Sequence, residues 1–242
     1  EKNFSKHPGS TKNFWFATEF KDVIKLLAKP VTAATGERSR IVFHVHQSNN
    51  QAAKLGHIAS HTLNGWGGEL AFHTKPANGN PNNSTNEVMR LHANGYVTKP
   101  YNPVFMVYRT SYYAITTSAT ALVFNEEKID VGNNYDTSNG RFTAPVTGLY
   151  EFGYASIASN TQTVYRYDLR INGSVPYSGM RQELRIDQGN VTQYGTNGEF
   201  CLYINMTAGQ YAQVYVHADT AVNSVYGDPN YGYTYFRGRL IQ

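Results

Sequence analysis

Between Phe124 and Tyr154 the chain carries Phe124, Asp130, Tyr135, Phe142, Gly148, Tyr150, Phe152 and Tyr154 at fixed offsets. Tyr150, Phe152 and Tyr154 alternate, so in a strand of period two they share one face and form a row of large apolar surface. Such a row needs a second layer to cover it. Just before it, Ala144-Pro145-Val146-Thr147-Gly148 reads as a tight reversal. Proline fixes one φ there and Gly148 tolerates a positive one, so that Phe142 packs from the neighbouring strand. These aromatics are expected to be core and subunit-interface residues with no chemistry of their own.

The ladder resembles the signature of the C1q domain, which implies a jelly-roll β-sandwich related in fold to tumour necrosis factor. The resemblance extends over about residues 103–242. Pro103-Val104-Phe105-Met106-Val107-Tyr108-Arg109 is similar to the family's first strand, and Tyr235-Phe236-Arg237-Gly238-Arg239-Leu240-Ile241 is similar to its last, with Gly238 allowing close approach. It also implies a homotrimer. On that reading the apolar faces of the first and last strands, including Phe105, Val107, Tyr235 and Leu240, exceed what one jelly roll buries.

Composition agrees with a mainly β protein. Nine prolines, 21 glycines, 19 tyrosines and Asn-Gly pairs at 64–65, 78–79, 94–95, 139–140, 172–173 and 197–198 suit short strands joined by turns. A head of about 140 residues buries roughly 68% of its unfolded surface, enough for its own core. The single cysteine, Cys201, cannot close an intrachain disulfide; within Glu199-Phe200-Cys201-Leu202-Tyr203-Ile204 it is expected to be buried as a small hydrophobe. No apolar run is long enough to cross a bilayer as a helix, so membrane insertion is not expected. The first residues do not read as a signal peptide, and Glu1 reads as the start of a fragment or a processed chain.

Charge divides the chain near the same boundary. Residues 1–103 hold 12 Lys/Arg and 6 Asp/Glu, net +6; residues 104–242 hold 9 and 11, net −2. The expected organisation is a stem over 1–102 and a head over 103–242. The basic residues of the stem are scattered, without a dense run or a zinc-finger spacing, and nucleic acid is not an expected partner. Phe20, Val23, Ile24 and Leu27 follow helical spacing, so the stem is expected to contain a short amphipathic helix over about 19–28, stopped before Pro30. Strand-like pieces follow at Arg40–Gln47, Glu69–Thr74 and Glu87–His92. Lys75–Thr85 reads as an exposed, mobile polar loop. Leu70–Thr74 together with Asn86–Pro100 is similar to tracts that precede the heads of bacteriophage tail-fibre proteins. No Gly-X-Y repeat occurs, which departs from collagen-stalked members.

Together the two resemblances imply a trimeric tail-fibre tip on a virion. Its partners would be a host surface glycan or outer-membrane protein and, through the N-terminal side, other virion tail proteins. A secreted C1q-like lectin or signalling ligand and a glycan-cleaving fibre are the alternatives. The acids Asp168, Glu183 and Asp187 are dispersed, and no nucleophile elbow or phosphate loop occurs, so an enzyme is not expected. If jelly-roll strands reverse in turn, the segments Thr110–Thr120, Ser159–Thr161, Asp187–Thr196 and Ala221–Tyr233 gather at one end. Receptor binding is expected there at Tyr226, Asp228, Asn230, Tyr231 and Tyr233, with Asn160 and Tyr194, because flat aromatic faces with hydrogen-bonding tips suit sugar or protein.

No cofactor is firmly implied. His44-Val45-His46 puts two imidazoles on one face of a strand, and three copies around an axis would offer six nitrogens to a transition metal; two exposed or hydrogen-bonded histidines is the other reading. His57 and His61 have helical spacing but lack the glutamate of a zinc-protease helix.

Overall fold

The computed structural model describes residues 22–28, 36–46, 52–62, 68–76, 85–159, 163–176, 182–186, 194–196, 200–219 and 223–242. Every regular element among the described residues is a strand. The chain divides into two compact units, Glu1–Tyr101 and Asn102–Gln242.

The described residues of the first unit form an antiparallel sheet of six strands in sequence order: β1 (Asp22–Ala28), β2 (Gly36–His46), β3 (Ala52–Thr62), β4 (Gly68–Thr74), β5 (Asn86–Leu91) and β6 (Val97–Thr98). The helix expected over 19–28 is not formed; Asp22–Ala28 pairs along β2 from Asp22↔Val45 to Ala28↔Ser39, and residues 19–21 lie outside the described residues. Two causes favour the strand. Val23 and Ile24 are β-branched, and a helix of about ten residues is marginal where a long partner strand is present to pair with it. The strand-like pieces at Arg40–Gln47, Glu69–Thr74 and Glu87–His92 appear as β2, β4 and β5. β3 had no counterpart in the sequence reading, because its alanines, glycine and polar residues make no alternation of large apolar side chains. Most of the polar loop Lys75–Thr85 lies outside the described residues.

The two faces of this sheet differ. Cross-strand pairing aligns Ile41, Ile58, Phe72 and Met89 in one row, with Leu70 opposite Leu91 beside it. On that side Ile41, Phe43, Leu70 and Leu91 remain between 37% and 40% exposed. The other face carries His57, His61, His73, Glu69, Glu87, Arg90 and His92 around a buried Ala59–Ala71 pair.

The second unit is a sandwich that has, among the described residues, fifteen strands: β7 (Val104–Tyr108), β8 (Tyr113–Ile115), β9 (Thr120–Ala121), β10 (Glu126–Val131), β11 (Tyr135–Asp136), β12 (Arg141–Thr143), β13 (Gly148–Ala155), β14 (Ile157–Ser159), β15 (Thr163–Ile171), β16 (Gln182–Ile186), β17 (Tyr194–Thr196), β18 (Phe200–Met206), β19 (Tyr211–Ala218), β20 (Asn223–Val225) and β21 (Tyr235–Leu240). One layer has the order β10-β7-β21-β13-β18; the other has β11-β12-β19-β15-β16, with β9 also paired to β19. The first and last strands of the unit are neighbours, Gly238 opposite Phe105.

The aromatic ladder is the core between these layers. Tyr150, Phe152 and Tyr154 on β13 are fully buried, as are Phe124 and Phe142. Phe105 packs 4.6 Å from Phe142 and 4.9 Å from Phe236, ring centre to ring centre. Asp130 is the non-aromatic member: its carboxylate accepts the Asn134 and Tyr135 backbone N–H groups at 3.1 and 2.9 Å and closes the turn after β10. The Tyr135 hydroxyl donates to the Phe124 carbonyl at 3.2 Å, and burial pushes its pKa well above the usual phenol range. At Asn172-Gly173 both residues have positive φ, 50° and 82°, and Ile171 and Ser174 exchange two hydrogen bonds across them, the two-residue hairpin that Asn-Gly favours.

Three expectations are corrected here. Gly148 has no positive φ; it is glycine because a Cβ would sit 2.5 Å from the Gln242 carbonyl oxygen and 2.7 Å from Leu240 Cδ1. Phe105 and Val107 point into the interior of a single jelly roll and are not surplus surface awaiting a neighbour. Cys201 is exposed: Leu202, Ile204 and Met206 take the inward positions of β18, so strand alternation turns residues 201, 203 and 205 outward.

Candidate functional site

At the end of the sandwich where β7 and β13 finish and β21 begins, β17, β14, β20 and β8 form a small four-stranded sheet in that order. β8, β17 and β20 lie within three of the segments expected to gather there, and β14 touches the fourth only at Ser159. Val225 pairs with both Ala158 and Tyr113, and Ser159 pairs with Tyr194. The segments meet by backbone pairing, where the sequence reading had only neighbouring loops. Tyr194 therefore stands on β17, its side chain outside what is described; Asn160 lies outside the described residues.

The loop after β20 holds the other five predicted residues. Tyr226 donates its hydroxyl to Asp228 Oδ2 at 2.8 Å, while Asp228 Oδ1 accepts the N–H groups of Asn230 and Tyr231 at 2.7 and 3.3 Å. Hydrogen bonds, first from the Asn230 backbone and then from Tyr226, hold the Asp228 carboxyl below the usual carboxylate range. With its carboxylate used internally, Asp228 braces the loop. The rings then form a continuous group: Tyr231 stacks on Tyr233 at 5.3 Å, Tyr233 lies 6.0 Å from Tyr226, and Tyr226 meets Tyr112 edge-to-face at 5.0 Å. Tyr112, Tyr231 and Tyr233 are 53%, 58% and 45% exposed.

Two residues outside the set expected to bind complete the arrangement. Tyr112 is one; the Tyr112-Tyr113 doublet inside Thr110–Thr120 was the available signal. Arg109 is the other. Its Nε donates to the Ser111 carbonyl at 2.9 Å, its Nη1 to the Val123 carbonyl at 2.6 Å, and its guanidinium lies 4.8 Å from the centre of the Tyr113 ring. Its backbone carbonyl accepts the Asp228 N–H at 3.1 Å, tying the two halves of the tyrosine group together. Gly227 is packed so closely that a Cβ would run into the Ser111 backbone.

Exposed rings with fixed spacing offer stacking faces and phenol hydroxyls to a sugar or a protein side chain. Asp168, one of the dispersed acids, is buried in β15 and ion-paired to Arg170 at 3.2 Å. Asp187 lies outside the described residues, as does the side chain of Glu183. His44 and His46 lie on β2 opposite Lys54 and Ala52, and their side chains likewise fall outside what is described. His57 and His61 belong to strand β3, not to a helix; their even spacing still gives them a common face.

A family model described as the C1q domain matches residues 104–241. Among solved structures, the globular domain of zebrafish complement 1qA protein is 18% identical, covering 58% of this chain and 98% of that one with a TM-score of 0.41. The crystal structure of murine APRIL at pH 5.0 is 10% identical, covering 58% and 99% with a TM-score of 0.42. No curated protein sequence matches the chain.

Proposed function

Because this chain belongs to the C1q domain family through residues 104–241, we propose that it is a trimeric binding protein, the receptor-recognising tip of a phage tail fibre, which captures a host surface glycan or outer-membrane protein on its tyrosine group. The observation that carries this reading is the braced run Tyr112–Tyr226–Tyr233–Tyr231, an exposed aromatic surface held in shape before any ligand arrives.

Association is supported by the outward side of the β10-β7-β21-β13-β18 layer. Ile129 and Tyr203 are about half exposed there, with Met106 and Tyr235 partly so, around Glu151, whose carboxylate takes Arg237 at 3.0 Å and Arg239 at 2.8 Å. A face mixing large apolar groups with a compensated charge suits contact between copies. The fibre setting rests on the N-terminal part: the sequence has no collagen repeat, residues 22–98 supply an antiparallel sheet, and the tract to Pro100 is similar to those preceding fibre heads. The working place is then the virion surface, with the N-terminal side joined to other tail proteins.

The test is binding of the purified chain to a bacterial glycan array and to immobilised outer-membrane vesicles, with light scattering to count copies. Three copies and a loss of at least tenfold in affinity in Tyr231→Ala and Tyr233→Ala are expected. A monomer, unchanged affinity in both variants, or shortened polysaccharide after incubation would each overturn the proposal.

A further inference from the structure

On the polar face of the N-terminal sheet, His61 on β3, His73 on β4 and Glu87 on β5 bring one imidazole nitrogen each and a carboxylate oxygen together, all within 4.8 Å of one another. The register explains the meeting. His73 is the cross-strand partner of both His57 and Glu87, while the Ala59–Ala71 pair separates the His57–His73 row from His61. The pair is made of small alanine side chains, so no bulky group stands between the His61 and His73 rings. A register shift between Phe72 and His73 turns Glu87 onto the same face.

The surroundings fit a cation. The His57 ring stacks on His73 with centres 4.0 Å apart and planes within 10°, fixing the orientation of the His73 ring. His57 Nδ1 in turn lies 3.3 Å from Thr85 Oγ1. His61 Nε2 is buried and has no hydrogen-bond partner among the described residues. Glu87 is clamped by Arg90, whose Nε donates at 2.8 Å and whose Nη2 also reaches the carboxylate, while Arg90 Nη1 binds Glu69 at 2.6 Å. A carboxylate has about four lone-pair sites, so Glu87 retains acceptor capacity beside Arg90. The two glutamates exceed the one arginine in charge, and Arg90 stands as the outer group that holds a metal-binding carboxylate in place.

We propose that His61, His73 and Glu87 bind one divalent first-row transition-metal ion, of the zinc class, which cross-links β3, β4 and β5. Two imidazoles and one carboxylate are a donor set for zinc; magnesium and calcium prefer oxygen alone. Bonds of about 2.0–2.2 Å would bring tetrahedral donors to roughly 3.4 Å apart, so side-chain rotation must close the present spacing by on the order of 1.4 Å. Three strands are then tied at one point, and a fourth coordination position remains for water.

The test is calorimetric titration of the full chain with zinc chloride, beside melting curves with zinc and with a chelator. One ion per chain, a higher melting temperature with zinc, and affinity at least tenfold weaker in His61→Ala, His73→Ala and Glu87→Gln are expected, with no change in the double variant His44→Ala/His46→Ala. Absence of zinc binding, or binding that survives in His61→Ala and His73→Ala and disappears in His44→Ala/His46→Ala, would overturn it. Should the alanine variants fail to fold, X-ray absorption of the zinc-loaded parent decides: a shell of two imidazoles and a carboxylate supports the site, and any other shell removes it.

Discussion

The two units apply the same alternation of strands to opposite ends. In the head, a second layer covers the described inward side chains, so Phe105, Phe152 and Phe236 vanish into one interior. In the N-terminal unit, six strands form one sheet whose apolar row keeps Ile41, Phe43, Leu70 and Leu91 more than a third exposed, and whose other face is tied by imidazoles, carboxylates and Arg90. The head is therefore held chiefly by packing, and the N-terminal sheet by backbone pairing and side-chain polar contacts. A single sheet gains little from its large residues until something covers them.

Truncating equivalent aromatics is the strongest way to break that contrast. Phe152→Ala should destabilise the head by about 3–5 kcal/mol through a cavity in a closed core, whereas Phe72→Ala, on the partly open row, should cost the N-terminal unit on the order of 1 kcal/mol. Urea unfolding checks this with separate probes, since Trp15 and Trp66 both lie in the N-terminal unit while nearly all tyrosines lie in the head. Equal losses would erase the distinction. A smaller effect is expected from Gly238→Ala: the new methyl would stand 2.6 Å from Phe105 Cε1 and 2.7 Å from Phe152 Cδ1, and overpacking of that kind costs about 1–3 kcal/mol. Thermal melting that stayed unchanged would mean that the core yields more than its burial suggests.

The smallest effect concerns charge. Hydrogen bonds from Arg239 and then Arg237 hold the Glu151 carboxyl below its ordinary value of 4.5. A depressed folded pKa contributes stability that is complete above the unfolded value and is lost as pH falls through the folded one. Head stability should therefore decline as pH drops below about 4.5, and Glu151→Gln should flatten that part of the curve. Denaturant midpoints measured from pH 6 downward check the sign; a steeper acid slope in the variant would contradict it.

The head was readable because a closed aromatic core tolerates few residue types at each offset, and eight such offsets fall in one stretch. That Tyr226, Asp228, Tyr231 and Tyr233 share one loop is legible for a different reason: a tyrosine-rich stretch ahead of the recognisable last strand has few places to go. Other features had no local trace. Val23, Ile24 and Leu27 match the helical period alone, and only pairing with β2 reveals β1 as a strand. The outward position of Cys201 has no such trace, because a short apolar run does not announce its phase. The His61, His73 and Glu87 grouping spans three strands and one register shift, neither of which a linear spacing records.

The brace at Asp228 has a thermodynamic consequence. Because its carboxylate already fastens the Tyr226 hydroxyl and the Asn230 and Tyr231 amides, a ligand settling against Tyr226 would find that ring with little rotational freedom left to surrender. Rigid, planar ligands should benefit most from such a landing place, while a floppy one would still carry its own entropic penalty.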